Sequence, residues 1–459
     1  MLLPVMYNVN TRGFQDRKMP VNRACDGISS SFNGNVGVYN NLKVDAFVPS
    51  FKASILSGMK LFKKEAMDEQ NPKWANAVSR RLPLDDKPDD VRTPFERDRN
   101  RIMHSEAFDR LRFKTQVYPL PDNDMLCTRS SHVLQVADVA RNISKRLGLN
   151  EELAEAIAQG HDIGHAPFGH EGEYALRDIT KKHGLPVFWH EKNSLRMVDR
   201  LITLQNSKGL NRNLDLTYAV RDGIVNHCGE VDENFIKPRK EFIDLDDIKK
   251  PAQVQPYTWE AIVVKIADKI AYLGRDIDDA LRAGVWSEKE LKELKKIVKK
   301  IKPDFNGEIN NSAIMNLFIN DIVRNSSPSK GIGFSEPVAA VMTAIKKYNT
   351  ENIYFRESIK KVSPEAIIKI IDSIYNHYDL LYKGKDTIDY LQNFSNPYVK
   401  SFRAWLVRYT DNPYKKPSDV NEVVYDLNNY KDYQQAIVDY ISGMTDKFAI
   451  KTYNSFSVL

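Results

Sequence analysis

The chain has 459 residues, with 67 Lys and Arg against 61 Asp and Glu, a formal net charge of +6. An apolar fraction of 42% and a charged fraction of 28% are ordinary for a globular protein and exclude a disordered tail, a collagen-like repeat and a disulfide-stapled miniprotein. At about 150 residues per domain the length admits up to three units, and one large core with insertions fits equally well. Three widely spaced cysteines (Cys25, Cys127, Cys228) with no CxxC point to a reduced, intracellular compartment. No apolar run approaches the ~18 residues of a membrane span, and the N-terminus lacks the apolar core and cleavage site of a secretory signal. The expectation is therefore a cytoplasmic protein with no membrane contact. The basic surplus is not clustered: the Lys-rich stretch 292–302 is interrupted by Leu294, Ile297, Val298 and Ile301 and reads as a solvated helix face. It is compatible with an anionic substrate without demanding one.

Residues 1–58 differ from the rest. Segment 26–41 is rich in Gly, Ser and Asn without a helical period, so an irregular or weakly β segment is expected there, with Met59 a candidate start. From about residue 92 onward the pattern is helical. Over 131–147, Val133, Val136, Ala137, Ala140, Ile143 and Leu147 follow three-and-four spacing, with Ser130 or Ser131 as cap and Gly148 just past the end. A second helix over 150–160 carries Leu153, Ala154, Ile157 and Ala158, with Asn150 as its cap. A third, over 259–283, carries Ile262, Ile266, Ala267, Ile270, Ala271, Leu273 and Ile277 and ends at Gly284. Further helical patterns cover 287–301, 312–324, 335–348, 364–383, 398–409 and 431–447. Strand signals are few, no repeat is seen, and the expected fold is all-α with one continuous core.

Chemistry concentrates in the histidines. Of nine, six fall within 132–190, and five of those six sit beside an acid or a glycine. His161-Asp162 ends the second helix, and an imidazole beside a carboxylate suits a borderline or hard divalent cation. His132, in the first turn of its helix, is the natural third ligand, because the short loop 148–150 lets the two helices pack antiparallel. Asp268 lies among Ile266, Ala267, Ile270 and Ala271, where an unpaired carboxylate is costly, so it needs a metal ion or a buried Arg or Lys. After the pair, Pro167 and Gly169 interrupt the helix, and His170 and Glu173 share a face if the chain turns helical again at Glu171. On the third helix, Asp268, Tyr272, Asp276 and Asp279 form one stripe.

His132, His161-Asp162 and Asp268 resemble the metal-binding pattern of the HD-domain phosphohydrolases. The text around them is more specific: RTPFERDRNRIMHSEAFDRLRFKTQVYPL (92–120), TRSSHVLQV (128–136), GHDIGHAPFGHEGE (160–173) and ADKIAYLGRDIDDA (267–280). Together these look like the deoxyguanosine triphosphate triphosphohydrolase branch, similar to the wider dNTP triphosphohydrolases, over residues 92–284. The resemblance implies an HD-domain helical bundle at 59–284 and an additional helical region at 285–459 packed on it. It implies hydrolysis of a dNTP, dGTP foremost, between the 5′ oxygen and the α-phosphorus to deoxynucleoside and inorganic triphosphate. His132, His161, Asp162 and Asp268 would hold one divalent cation (Mn²⁺, Mg²⁺ or Fe²⁺), with a further Mg²⁺ travelling on the triphosphate.

By the same resemblance His170, Glu173 and His190 are the catalytic groups, serving water attack or protonation of the 5′ oxygen. Arg129, His165 and Lys269 match phosphate-contacting positions, and Arg can grip two phosphate oxygens at once. Gln116, Tyr272 and Asp276 match sugar-contacting ones; an aromatic face under the 2′ carbon would leave a 2′ hydroxyl unpaired. His183 reads as a helix C-terminal histidine, and His227 and Glu230, in RDGIVNHCGE, have no derived role. Relatives suggest a homo-oligomer and a nucleotide activator, and the mild basic balance leaves single-stranded DNA as a partner. Two other readings stand beside this one. The metal site could serve a nucleotidase, phosphodiesterase or alarmone hydrolase. Alternatively the fold could bind nucleotide or nucleic acid without catalysis, whose mark would be a broken ligand set.

Overall fold

The structure is a computed structural model, and it describes residues 60–84, 90–119, 123–228, 234–354 and 363–456. The N-terminal segment expected to be irregular, Cys25, Met59 and Glu230 lie outside the described residues. Fourteen helices carry the argument: α1 (Pro94–Met103), α2 (Arg129–Leu147), α3 (Glu151–Gly160), α4 (His170–Lys182), α5 (His190–Arg196), α6 (Tyr218–Val225), α7 (Trp259–Arg282), α8 (Glu288–Ile301), α9 (Asn311–Asn325), α10 (Glu336–Asn349), α11 (Pro364–Asp379), α12 (Pro397–Tyr409), α13 (Tyr430–Ser442) and α14 (Asp446–Phe456). Among the described residues the sheet is one antiparallel hairpin, β1 (Thr203–Gln205) against β2 (Asn211–Asn213), with Thr203 opposite Asn213. The fold is all-α, as the periodicity requires. No helix of the described residues is long and apolar enough to cross a membrane.

The core is built on α2, α3 and α7. Asn150 caps α3 by accepting from the N–H of Glu152 and Leu153 (3.0 and 3.1 Å). Thr258 caps α7 through the Ala261 N–H. The α2 cap is Thr128, not Ser130 or Ser131: its hydroxyl accepts from Ser131 N, so the helix starts earlier and takes Arg129 into its first turn. Gly148 ends α2 in the left-handed region (φ +84°), and the chain reverses at once into α3, so the two helices pack antiparallel. The α7 helix lies across both, with α1 and α6 against α3 and α9 against α2 and α7. Their apolar faces are sealed: Val133, Val136, Ile143, Ile157, Ile262 and Ile270 are fully buried. Each such Val or Ile stabilises the fold by roughly 1.5–3 kcal/mol relative to exposure.

A second layer consists of α4, α11, α13 and α14, which pack on one another. Two expected elements differ here. The helix expected over 364–383 stops at Asp379, with Leu380 as its cap and 79% exposed. The stretch 431–447 is two helices, broken at Gly443. The apolar period runs on through Ile441 and Met444, so it cannot register the break, and the break is what turns Asp446 toward the histidine-bearing loop.

Candidate metal centre and its histidine cluster

Three helices deliver the expected cation ligands to one buried corner. His132 comes from the first turn of α2, His161 and Asp162 from the end of α3, and Asp268 from the middle of α7. His132 Nε2 donates to Asp268 Oδ1 at 2.9 Å, and His161 Nε2 lies 3.9 Å from the same oxygen and 3.7 Å from Asp162 Oδ2. Donor atoms of His132, His161 and Asp268 all fall within 4.8 Å of one another. Metal–ligand bonds of about 2.1 Å span donors up to ~4.2 Å apart, so the group fits a small divalent ion after slight contraction.

The protonation state of His161 agrees with that fit, whereas His132 must give up its Nε2 proton to bind. His161 Nδ1 faces the Ala158 carbonyl at 2.6 Å, which fixes the proton on Nδ1 and leaves Nε2 as a lone pair; that nitrogen is buried and has no hydrogen-bond partner. Burial pushes the His161 pKa down to about 4, so the ring is neutral, as a ligand must be. Burial disfavours charge on Asp162, but Arg129, His161 and His165 outweigh it and hold the carboxyl well below its ordinary range. His132 is raised despite burial, by its hydrogen bond to Asp268. Asp162 groups with His161 and His227 rather than with His132 and Asp268. Its Oδ2 accepts from the buried Arg129 guanidinium, and its Oδ1 lies 4.0 Å from His190 Nε2. Arg129, expected to meet phosphate, is thus also the counter-charge of Asp162, with its Nε still unpaired.

Beside this corner is a chain of imidazoles around one buried carboxylate. Glu173, in the first turn of α4, accepts from His190 Nδ1 at 3.0 Å, stands 3.4 Å from His170 Nδ1, and takes Arg177 at 2.8 Å. Burial opposes its charge, but His190 and the two imidazole hydrogen bonds prevail and lower its pKa far below normal. His190 is pushed up to about 10: burial lowers it, and Glu191 and Glu173 more than compensate. His165 stacks on His190 (centroids 4.5 Å, 24°), and burial keeps it neutral with Nδ1 unpaired. The His170 side chain is 65% exposed, so it alone of the cluster faces solvent openly.

The loop between α3 and α4 is braced on every side. Gly164 packs so closely on α5 that a Cβ there would come 2.2 Å from Ser194 N. A Cβ on Gly172 would come 1.9 Å from Pro167 O. Lys114 donates to His165 O and Ser442 O, and Asn193 bridges Gly164 O and Ser442 Oγ. Asp446, at the start of α14, accepts from Phe168 N (2.9 Å), Thr115 N (3.0 Å) and the Thr115 hydroxyl.

Toward the other end of α7, Asp276 accepts from the Tyr354 hydroxyl at 2.5 Å and keeps its Oδ1 unpaired; burial lifts its pKa to about 7. Tyr118 and Gln116 each hold a buried polar atom without a partner. Tyr272 and Lys269 are half-buried and line a cleft closed by Ile236, Ile332, Phe334 and Met342. Asp279, last of the stripe, points elsewhere: it accepts from Cys127 N at 2.8 Å and pairs with Arg282, anchoring the entry to α2. Tyr354 and His227 were not given roles by sequence reasoning. His227 is buried, with its ring 4.8 Å from His161 and 5.5 Å from His190. Its signal was local: like His161, it follows a helix end and turns Nδ1 to the carbonyl three residues back, Ile224 O at 2.6 Å.

Two family models match the chain. The HD domain model matches residues 129–273, and the phosphohydrolase-associated domain model matches 408–455, the segment that contributes Ser442 and Asp446. A deoxyguanosinetriphosphate triphosphohydrolase-like protein of Caldanaerobacter subterraneus is 32% identical over 365 residues, covering 79% of this chain and 85% of its own. Proteins of the same description from Nitrosomonas europaea (31% over 370 residues; 79% and 90%) and Clostridium tetani (32% over 376 residues; 81% and 87%) are similar to the same extent. The chain belongs to the deoxyguanosinetriphosphate triphosphohydrolase-like family of HD-domain phosphohydrolases.

Proposed function

We propose that this phosphohydrolase cleaves dNTPs, dGTP foremost, to deoxynucleoside and inorganic triphosphate. The observation that carries the proposal is the buried convergence of His132, His161 and Asp268, with Asp162 and Arg129 beside them and a second histidine cluster within reach. His132, His161, Asp162 and Asp268 would hold one divalent ion, Mn²⁺, Mg²⁺ or Fe²⁺, which when bound supplies Lewis acidity toward a phosphate oxygen.

The chain's own groups do the rest. Arg129, His165 and Lys269 bind the triphosphate. His190, kept as an imidazolium by Glu191 and Glu173, adds positive charge where the α-phosphate gathers negative charge. Glu173 orients His170 through Nδ1, and His170 passes a proton to the departing 5′ oxygen as water adds to phosphorus, the proton shed by the water then restoring the imidazolium. Tyr272, Gln116 and Asp276 receive the sugar, and Tyr354 holds Asp276 in place. A homo-oligomer, a nucleotide activator, single-stranded DNA binding, Mg²⁺ carried by the triphosphate and a cytoplasmic location belong to the same proposal; mass measurement in solution and salt-dependent binding test the assembly and DNA parts.

The test is to incubate purified protein with each dNTP and Mn²⁺ and identify the products. Deoxyguanosine with intact triphosphate supports the proposal. Pyrophosphate or orthophosphate points to another HD-type phosphohydrolase, and no turnover of any dNTP refutes it.

A further inference from the structure

Behind His190 lies Cys228, a donor the proposed reaction does not use. One ring nitrogen of His190, a carboxylate oxygen of Glu191 and Cys228 Sγ all fall within 4.8 Å of one another. Glu191 is 4% exposed, and its one ion-pair contact among the described residues is His190 Nδ1 at 3.4 Å, a proton it shares with Glu173. Cys228 is only partly buried, so the set opens toward solvent on the sulfur side.

We propose that His190, Glu191 and Cys228 form a second cation site, separate from the His132, His161 and Asp268 corner, which takes a thiophilic divalent ion such as Zn²⁺ or Cd²⁺. Thiolate selects for such ions over Mg²⁺ and Mn²⁺. Bonds of about 2.3 Å to sulfur and ~2.1 Å to nitrogen and oxygen span donors up to ~4.4 Å apart, so a small contraction closes the site around the ion. Binding forms one bond each to S, N and O and releases the Cys228 thiol proton and one His190 ring proton to solvent. A His190 that gives a lone pair to this ion no longer serves both Glu173 and the phosphate side, so occupation inhibits the enzyme. That last consequence rests on the proposed function; the binding itself does not.

The experiment saturates the protein with Mn²⁺, titrates Cd²⁺ and records the ultraviolet thiolate-to-metal charge-transfer band. The band is expected in the wild type and absent in Cys228→Ser. Glu191→Gln, which keeps the thiol, is expected to weaken Cd²⁺ binding tenfold or more. In parallel, Zn²⁺ inhibition of dNTP hydrolysis is measured; Cys228→Ser should keep its basal rate and need at least tenfold more Zn²⁺. No band in the wild type, or an equal band in Cys228→Ser, overturns the site. A band without any dNTP turnover supports the site and overturns the proposed reaction instead.

Discussion

Asp446 ties the last helix to the loop that carries His165 and His170, and Asp446→Asn tests how much the tie matters. One carboxylate oxygen takes the Phe168 N–H and the other takes the Thr115 N–H and hydroxyl, in an environment 3% exposed. The amide keeps one acceptor and turns an NH₂ against the donors on the other side. Losing a hydrogen bond to a charged acceptor costs about 1.5–3 kcal/mol, and stranding a buried N–H costs ~1–3 kcal/mol. Local relaxation recovers part of this, so a loss of about 2–4 kcal/mol is expected, read as a lower denaturant midpoint at unchanged slope. The loop then shifts, and turnover should fall at least tenfold. Mn²⁺ affinity should hold within about threefold, because His132, His161 and Asp268 hang from α2, α3 and α7 rather than from the loop. A variant within ~0.5 kcal/mol of wild type that turns over normally refutes the reasoning.

Asp268→Ala and His161→Ala should each abolish Mn²⁺ binding by calorimetry and all activity with it; retained stoichiometric binding moves the cation elsewhere. His170→Ala should keep the metal and lower turnover by ~10²-fold or more, and full activity would take His170 out of proton transfer. Glu260 supplies a pH signature far from the histidine cluster. Its Oε1 accepts from Met67 N and Asn150 N, its Oε2 is buried and unpaired, and burial raises its pKa from 4.5 to about 7. Its folded pKa is the higher one, so its contribution to stability is complete below the unfolded pKa and is lost as pH rises through about 7. Glu260→Gln should remove this dependence, so its stability relative to wild type improves between pH 5 and pH 8; parallel denaturation curves at the two pH values would contradict it.

The meeting of His132, His161 and Asp268 was legible because it is built from short-range signals. Asn150, Gly148 and the apolar period fix α2 and α3 antiparallel, and that alone brings His132 to His161. Asp268 was legible for a different reason: a carboxylate on the buried face of α7 must be compensated. Contacts between distant segments were not legible. Tyr354 reaches Asp276 across 78 residues, and Asp446 reaches Thr115 across 331. Nothing local marks either, since a tyrosine at a helix end and an aspartate at a helix start have ordinary local uses. His227 falls between: its helix-end position was visible, but its nearness to His161 depends on how α6 lies against α3.

The helix-end attachment of His161 couples two properties that are usually measured apart. Its imidazole is aimed by the Ala158 carbonyl, one of the acceptors left over where α3 stops. Fraying of that final turn would swing the ring away, and a ligated ring would in turn hold the turn wound. Amide hydrogen exchange at the close of α3 should therefore slow when the ion is added and quicken under chelation, giving a readout of occupancy that needs no substrate.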